Sequence, residues 1–134
     1  MKTPIVHFEI PADDVSRAKQ FYENVFDWKI EKFPMPEGME DYWSVITTAI
    51  GKDKMPTKPG AINGGLMKRK ETGQPFMNYI AVESIDKMVK SVEAHGGTIC
   101  MEKREIAPNM GWIAAFKDTE GNILGLHQMP AKKK

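Results

Sequence analysis

Ile5-Val6-His7-Phe8-Glu9-Ile10-Pro11 runs directly into Asp13-Asp14 and then into Val15, Ala18, Tyr22 and Val25. The first stretch reads as a strand. The second places apolar residues at i, i+3, i+7 and i+10, one face of a helix, with Asp13 or Asp14 as its expected N-cap. The same unit returns as Phe76-Met77-Asn78-Tyr79-Ile80-Ala81-Val82, followed by Ser84 and a second helix carrying Ile85, Met88, Val89 and Val92. Sliding the first helix by 70 positions sets Asp14 on Ser84, Val15 on Ile85, Arg17 on Lys87, Ala18 on Met88, Tyr22 on Val92 and Glu23 on Glu93. A period of that length is too long for a solenoid, so the chain reads as two copies of one module.

Working outward, Trp28 to Phe33 alternates apolar and charged residues as a half-buried strand does. Tyr42 to Thr48 is rich in aromatic and β-branched residues, and Ala61 to Met67 reads as a fourth strand despite its glycines. Glu71-Thr72-Gly73-Gln74-Pro75 is a short polar boundary between the halves. Beyond it, Gly96-Gly97 closes the second helix, and strands are expected at Thr98 to Lys103, Met110 to Phe116 and Ile123 to Gln128. Each half thus has the order strand, helix, strand, strand, strand. Module one spans about 4–69, module two about 76–128, and 129–134 form a basic tail.

With 134 residues the chain is long enough for one domain with a real core, and its 41% hydrophobic and 28% charged content is that of a soluble globular protein. No apolar run reaches the roughly 18 residues of a membrane span, and a net charge of +1 gives no electrostatic reason to expect nucleic acid. Cytoplasmic residence is the expectation. The single cysteine, Cys100, cannot form an internal disulfide and is expected to be a buried, inert thiol. There is no Gly-rich phosphate loop, Cys-x-x-Cys pair or Gly-x-Ser-x-Gly elbow.

The tandem βαβββ order, the first-strand His7, Phe21-Tyr22-Glu23-Asn24-Val25-Phe26-Asp27-Trp28, and the turn Asp118-Thr119-Glu120-Gly121-Asn122 before the last strand resemble the vicinal oxygen chelate superfamily of glyoxalases, bleomycin resistance proteins and dioxygenases. The resemblance implies an α+β fold in which two βαβββ modules form one cupped, mixed eight-stranded sheet with a helix behind each half. It implies a divalent metal (Ni, Zn, Mn, Co or Fe) on the cup floor, held by His, Gln or Glu from the first and fourth strands of each module.

Carried over one by one, the ligand positions fall on His7 and Tyr79 in the first strands and on Gly65 and Gly125 in the fourth. Of these only His7 is a usual ligand, whereas a catalytic ion normally needs about three. Glu9 shares strand parity with His7, and His127 with Gly125, so His7, Glu9 and His127 are a conceivable displaced set. His7, Glu9 and Tyr79 are the candidate catalytic residues, His7 also the candidate metal ligand, and Gly65, Trp112, Gly125 and His127 the candidate substrate-binding ones.

Three readings stay open. The first is a small-molecule-binding protein without the standard four-ligand metal. The second is a metal-dependent lyase, isomerase or dioxygenase using His7. The third is a protein-interaction module on a vestigial fold. The expected partners are a small-molecule ligand and a second copy of the chain in a homodimer, with neither nucleic acid nor membrane.

Overall fold

The computed structural model describes residues 2–130; the expected basic tail lies outside this range from residue 131 onward. Two helices and eight strands follow in the order β1 (Ile5–Ala12), α1 (Val15–Phe26), β2 (Lys29–Phe33), β3 (Tyr42–Ile46), β4 (Gly64–Lys68), β5 (Met77–Ala81), α2 (Ile85–Ala94), β6 (Thr98–Glu105), β7 (Trp112–Lys117) and β8 (Ile123–Gln128). Parallel and antiparallel neighbours occur together, so the sheet is mixed and the class is the expected α+β with two tandem βαβββ modules. The chain divides into two compact units, one of His7–Phe76 and one in which the residues before His7 join those after Phe76.

In the first unit β1 runs parallel to β4, β4 antiparallel to β3, and β3 antiparallel to β2. The core side carries Ile10, Ala12, Ile30, Val45 and Leu66, against which Val15, Ala18 and Tyr22 of α1 pack. Asp14 is the N-cap, its carboxylate accepting from the Arg17 amide at 3.0 Å. Val25, expected on the buried face, is 56% exposed. Val25 is seven residues after the packed Ala18 and so on the same face, but it lies in the last turn of α1, which ends at Phe26. β3 stops at Ile46 and β4 starts only at Gly64 for one reason: the Thr47 amide donates to Asn63 Oδ1 at 2.8 Å and its hydroxyl to the Ile62 carbonyl at 2.7 Å, in place of ladder bonds.

In the second unit β5 runs parallel to β8, and β8, β7 and β6 follow antiparallel. Val82, Ile85, Ala114 and Leu126 form the core, with Met88 and Val89 of α2 against it. Ser84 caps α2 through the Lys87 amide at 3.2 Å, the same device as at Asp14 and 70 residues later. β7 begins at Trp112 rather than Met110, because the Met110 amide closes a turn onto the Ala107 carbonyl and Asn109 and Gly111 take positive φ. Cys100 is exposed, contrary to the buried thiol expected. It lies on β6, the outer strand of this unit, where Ile99 and Met101 turn to the more covered side and Cys100 away from it.

The turn from β7 into β8 is organised by Asp118. Its Oδ1 accepts from the amides of Glu120 at 2.8 Å and Asn122 at 2.9 Å, and its Oδ2 from Asn122 Nδ2 at 3.1 Å. These donors, with the backbone and side chain of Asn122 the largest contributors, hold the carboxyl below its ordinary value. A lowered native value means that the stabilisation is present above the unfolded carboxyl's titration near 3.8 and is lost as pH falls through the native value. Asp118→Ala is therefore expected to melt earlier than the wild type at neutral pH, with the two melting temperatures converging in acid. A gap that stays constant across a pH series would show that the charge is not responsible.

Candidate functional site

β1 alternates Phe8, Ile10 and Ala12 toward α1, so His7, Glu9 and Pro11 stand on the opposite face. On β4 the buried Leu66 likewise fixes Gly65 to the face that carries His7. Gly65 is the direct neighbour of Glu9 on β1 and of Ser44 on β3. Tyr42, two residues before Ser44, lies on this face and leans across the glycine. A Cβ at Gly65 would stand 1.7 Å from the Tyr42 hydroxyl and 2.1 Å from its Cζ. The missing side chain thus leaves the volume that the tyrosine fills.

Within that volume three polar groups converge. His7 Nε2 is 2.9 Å from Tyr42 Oη, Tyr42 Oη donates to Glu9 Oε2 at 3.1 Å, and His7 Nε2 lies 3.5 Å from the same Glu9 oxygen. The His7 and Glu9 side chains are 34% and 23% exposed, so solute reaches them while bulk water screens them only in part. Phe33 stands edge-on to the Tyr42 ring at 6.4 Å between centroids. The arrangement combines an acid, a base and a hydroxyl shared between them, the components of proton transfer or of polar recognition.

In the second unit Tyr79 is 6% exposed and pairs directly with Gly125. Its ring covers that glycine, with Cδ2 only 2.3 Å from where a Cβ would stand. His127 is half-buried on the same strand face as Gly125, opposite Ile113 on β7 and Ala81 on β5. Trp112 stands on the other face, packed against the core of Val82, Ile85, Ala114 and Leu126, with Lys103 Nζ 5.4 Å over its ring.

The sheet register corrects the internal alignment of the repeat. Glu9 faces Gly65 and Tyr79 faces Gly125 in the equivalent parallel pairs, and these residues are 70 apart, as are the two N-caps. Tyr79 is therefore the counterpart of Glu9, and Met77 that of His7. A slip of two residues preserves strand parity, so the apolar pattern did not reveal it.

The residues present do not fit the family's metal. The fourth-strand positions at Gly65 and Gly125 are filled by Tyr42 and Tyr79, Met77 stands where His7 would be repeated, and among the described residues no three His, Cys, Asp or Glu side chains come together as a metal-binding group. A cleft of about 720 Å³ on the first unit is lined by Val15, Trp43 and Lys68 among others. Its Arg69 is paired with Asp13 at 2.9 Å and its Lys70 with Glu40 at 3.1 Å.

Comparison with known proteins agrees with the fold. Residues 4–39 match the bleomycin resistance protein-like N-terminal family. A glyoxylase-like domain-containing protein of Didymella fabae is 31% identical, the alignment covering 92% of each chain. A putative glyoxylase of Mycobacterium bovis is 30% identical over 90% of this chain, which spans only 43% of that protein's length. Among solved structures, a hypothetical protein of Bacillus halodurans superposes with a TM-score of 0.68 at 11% identity, covering 100% of this chain and 99% of its own. A Streptomyces coelicolor methylmalonyl-CoA epimerase, solved with 2-nitronate-propionyl-CoA, gives 0.67 at 12% identity over 96% of this chain and 99% of its own. The chain belongs to the glyoxalase, bleomycin resistance protein and dioxygenase group, the vicinal oxygen chelate superfamily.

Tyr42 is the site residue that sequence reasoning missed, since its strand was read for composition alone. The available signal was its parity with Ser44, together with a glycine where the family places a carboxylate. Gly65→Ala is expected to destabilise the wild type by about 1–3 kcal/mol, the usual cost of overpacking, because the ring must leave. In a Tyr42→Ala background the same change should be neutral or slightly stabilising, since alanine is preferred over glycine in a strand. Urea denaturation of the four proteins closes the cycle, and additive effects would show that the ring does not depend on the gap.

Proposed function

We propose that this protein binds a small oxygenated organic molecule, with the strand face bearing His7, Tyr42 and Glu9 as its polar recognition surface. The observation that carries the reading is the contact of His7 Nε2 with the Tyr42 hydroxyl, which in turn donates to Glu9. A donor, an acceptor and an ionisable ring gathered at a half-open position suit a hydroxyl, carbonyl or carboxylate group of a ligand. That the epimerase superposing on this chain was solved with 2-nitronate-propionyl-CoA supports a small-molecule role. The site works through hydrogen bonds and proton transfer, without a resident ion at Gly65. In this reading the protein is a cytoplasmic homodimer, and Tyr79, Gly125 and His127 are separate candidate ligand-contacting residues of the second unit.

An enzyme of the glyoxylase type is a second reading, supported by the names of the Didymella and Mycobacterium relatives. A lyase, isomerase or dioxygenase with a divalent ion held in part by His7 belongs to it.

Two measurements separate these. In a titration followed by amide nuclear magnetic resonance with small hydroxy acids, oxo acids and their thioesters, a binder is expected to shift His7, Glu9 and Tyr42. His7→Ala should weaken that binding about tenfold or more, roughly the 1.4 kcal/mol of one good polar contact, with the melting temperature nearly unchanged. A large fall in melting temperature with binding intact would make His7 structural. Exposure of the tag-free protein to nickel, zinc, manganese, cobalt and ferrous iron, followed by metal analysis, is expected to leave no stoichiometric ion. Near-stoichiometric retention that His7→Ala removes would establish the second reading.

A further inference from the structure

The contacts among His7, Tyr42 and Glu9 constrain how their protons are shared. Tyr42 Oη lies 2.9 Å from His7 Nε2 and 3.1 Å from Glu9 Oε2, and the two partners are themselves 3.5 Å apart. The tyrosine has one proton to donate, and a carboxylate at neutral pH has none. If Tyr42 gave its proton to His7, its oxygen would turn a lone pair toward the Glu9 oxygen, and two acceptors would face each other at hydrogen-bond distance. With the proton directed to Glu9, the lone pair of Oη faces Nε2, and the contact is a hydrogen bond only if Nε2 carries hydrogen. The same N–H is then also attracted by the Glu9 oxygen.

We propose that Tyr42 is a positioning residue which, by donating its own proton to Glu9, holds neutral His7 in the Nε2–H tautomer, with the basic lone pair on Nδ1. The absent Cβ of Gly65 is what lets the hydroxyl reach this point, and Phe33, set edge-on at 6.4 Å, backs the ring that carries it. The identity of the basic nitrogen decides from which side the imidazole accepts a proton or a ligand's hydrogen bond. This inference rests on the reading that His7 works at the ligand site, and its measurement is made without ligand so that the two can fail separately.

The test is long-range proton–nitrogen correlation on the full chain labelled with nitrogen-15 at histidine, above the pH at which its imidazoles lose their charge. The chain has three histidines, and the signals lost in His7→Gln assign His7. The wild type is expected to show a single tautomer, with Nε2 at the protonated and Nδ1 at the unprotonated frequency, and an Nε2–H proton sharp enough to observe directly. In Tyr42→Phe, which keeps the ring, the two nitrogen frequencies should move toward each other and the proton should be lost to solvent exchange, while the backbone spectrum stays that of a folded protein. An Nδ1–H tautomer or averaged nitrogens in the wild type would overturn the proposal without any variant. So would a Tyr42→Phe spectrum in which the sharp Nε2–H persists.

Discussion

The candidate site depends on the absence of a single carbon atom. β4 alternates a fully buried Leu66 with Gly65, so the leucine fixes which face is core and the glycine opens the other. β8 does the same with Leu126 and Gly125. Each opening is taken by a tyrosine, but from different directions. Tyr42 crosses from β3 and arrives hydroxyl first, so that its polar atom lies above the glycine beside Glu9 and His7. Tyr79 stands directly opposite on β5 and lays its ring carbons there instead. One opening receives a hydroxyl and the other ring carbons, although the strands beneath are equivalent.

Most of the architecture was legible because it rests on local rules. The two helices start with capping residues 70 apart, and α1 and α2 begin at Val15 and Ile85, where the periodicity set them. The order of elements along the chain and the fold class followed from the repeat. The misplaced boundaries share a cause that apolar pattern does not record: side-chain and turn hydrogen bonds that compete with the ladder, as at Thr47 with Asn63 and at Met110 with Ala107. Exposure at Val25 and Cys100 also depended on the position of an element's end or edge rather than on the residue.

The site was legible only on one strand. His7 and Glu9 are two apart in sequence, and parity alone puts them together. Tyr42 is 35 residues from His7, and nothing in its own stretch distinguishes it from a strand aromatic. The pairing of Tyr79 with His7 illustrates the complementary difficulty. Sequence fixes a strand's faces more firmly than its register, and a two-residue slip keeps every face correct. The register becomes unique only when Glu9 and Tyr79 are each found opposite a glycine.

Each contact within the His7, Tyr42 and Glu9 trio is individually small. Glycine inside a strand costs roughly 0.5–1 kcal/mol relative to alanine, and a half-exposed pair such as His7 and Glu9 returns about 0–1 kcal/mol. The Tyr42 hydrogen bonds add on the order of 1 kcal/mol each at most, since in the unfolded chain the same groups bond to water. Leu66, Val45 and Ile10 on the other face are what hold β4 to its neighbours. On this face the chain instead gathers an imidazole, a carboxylate and a hydroxyl at one partly open point.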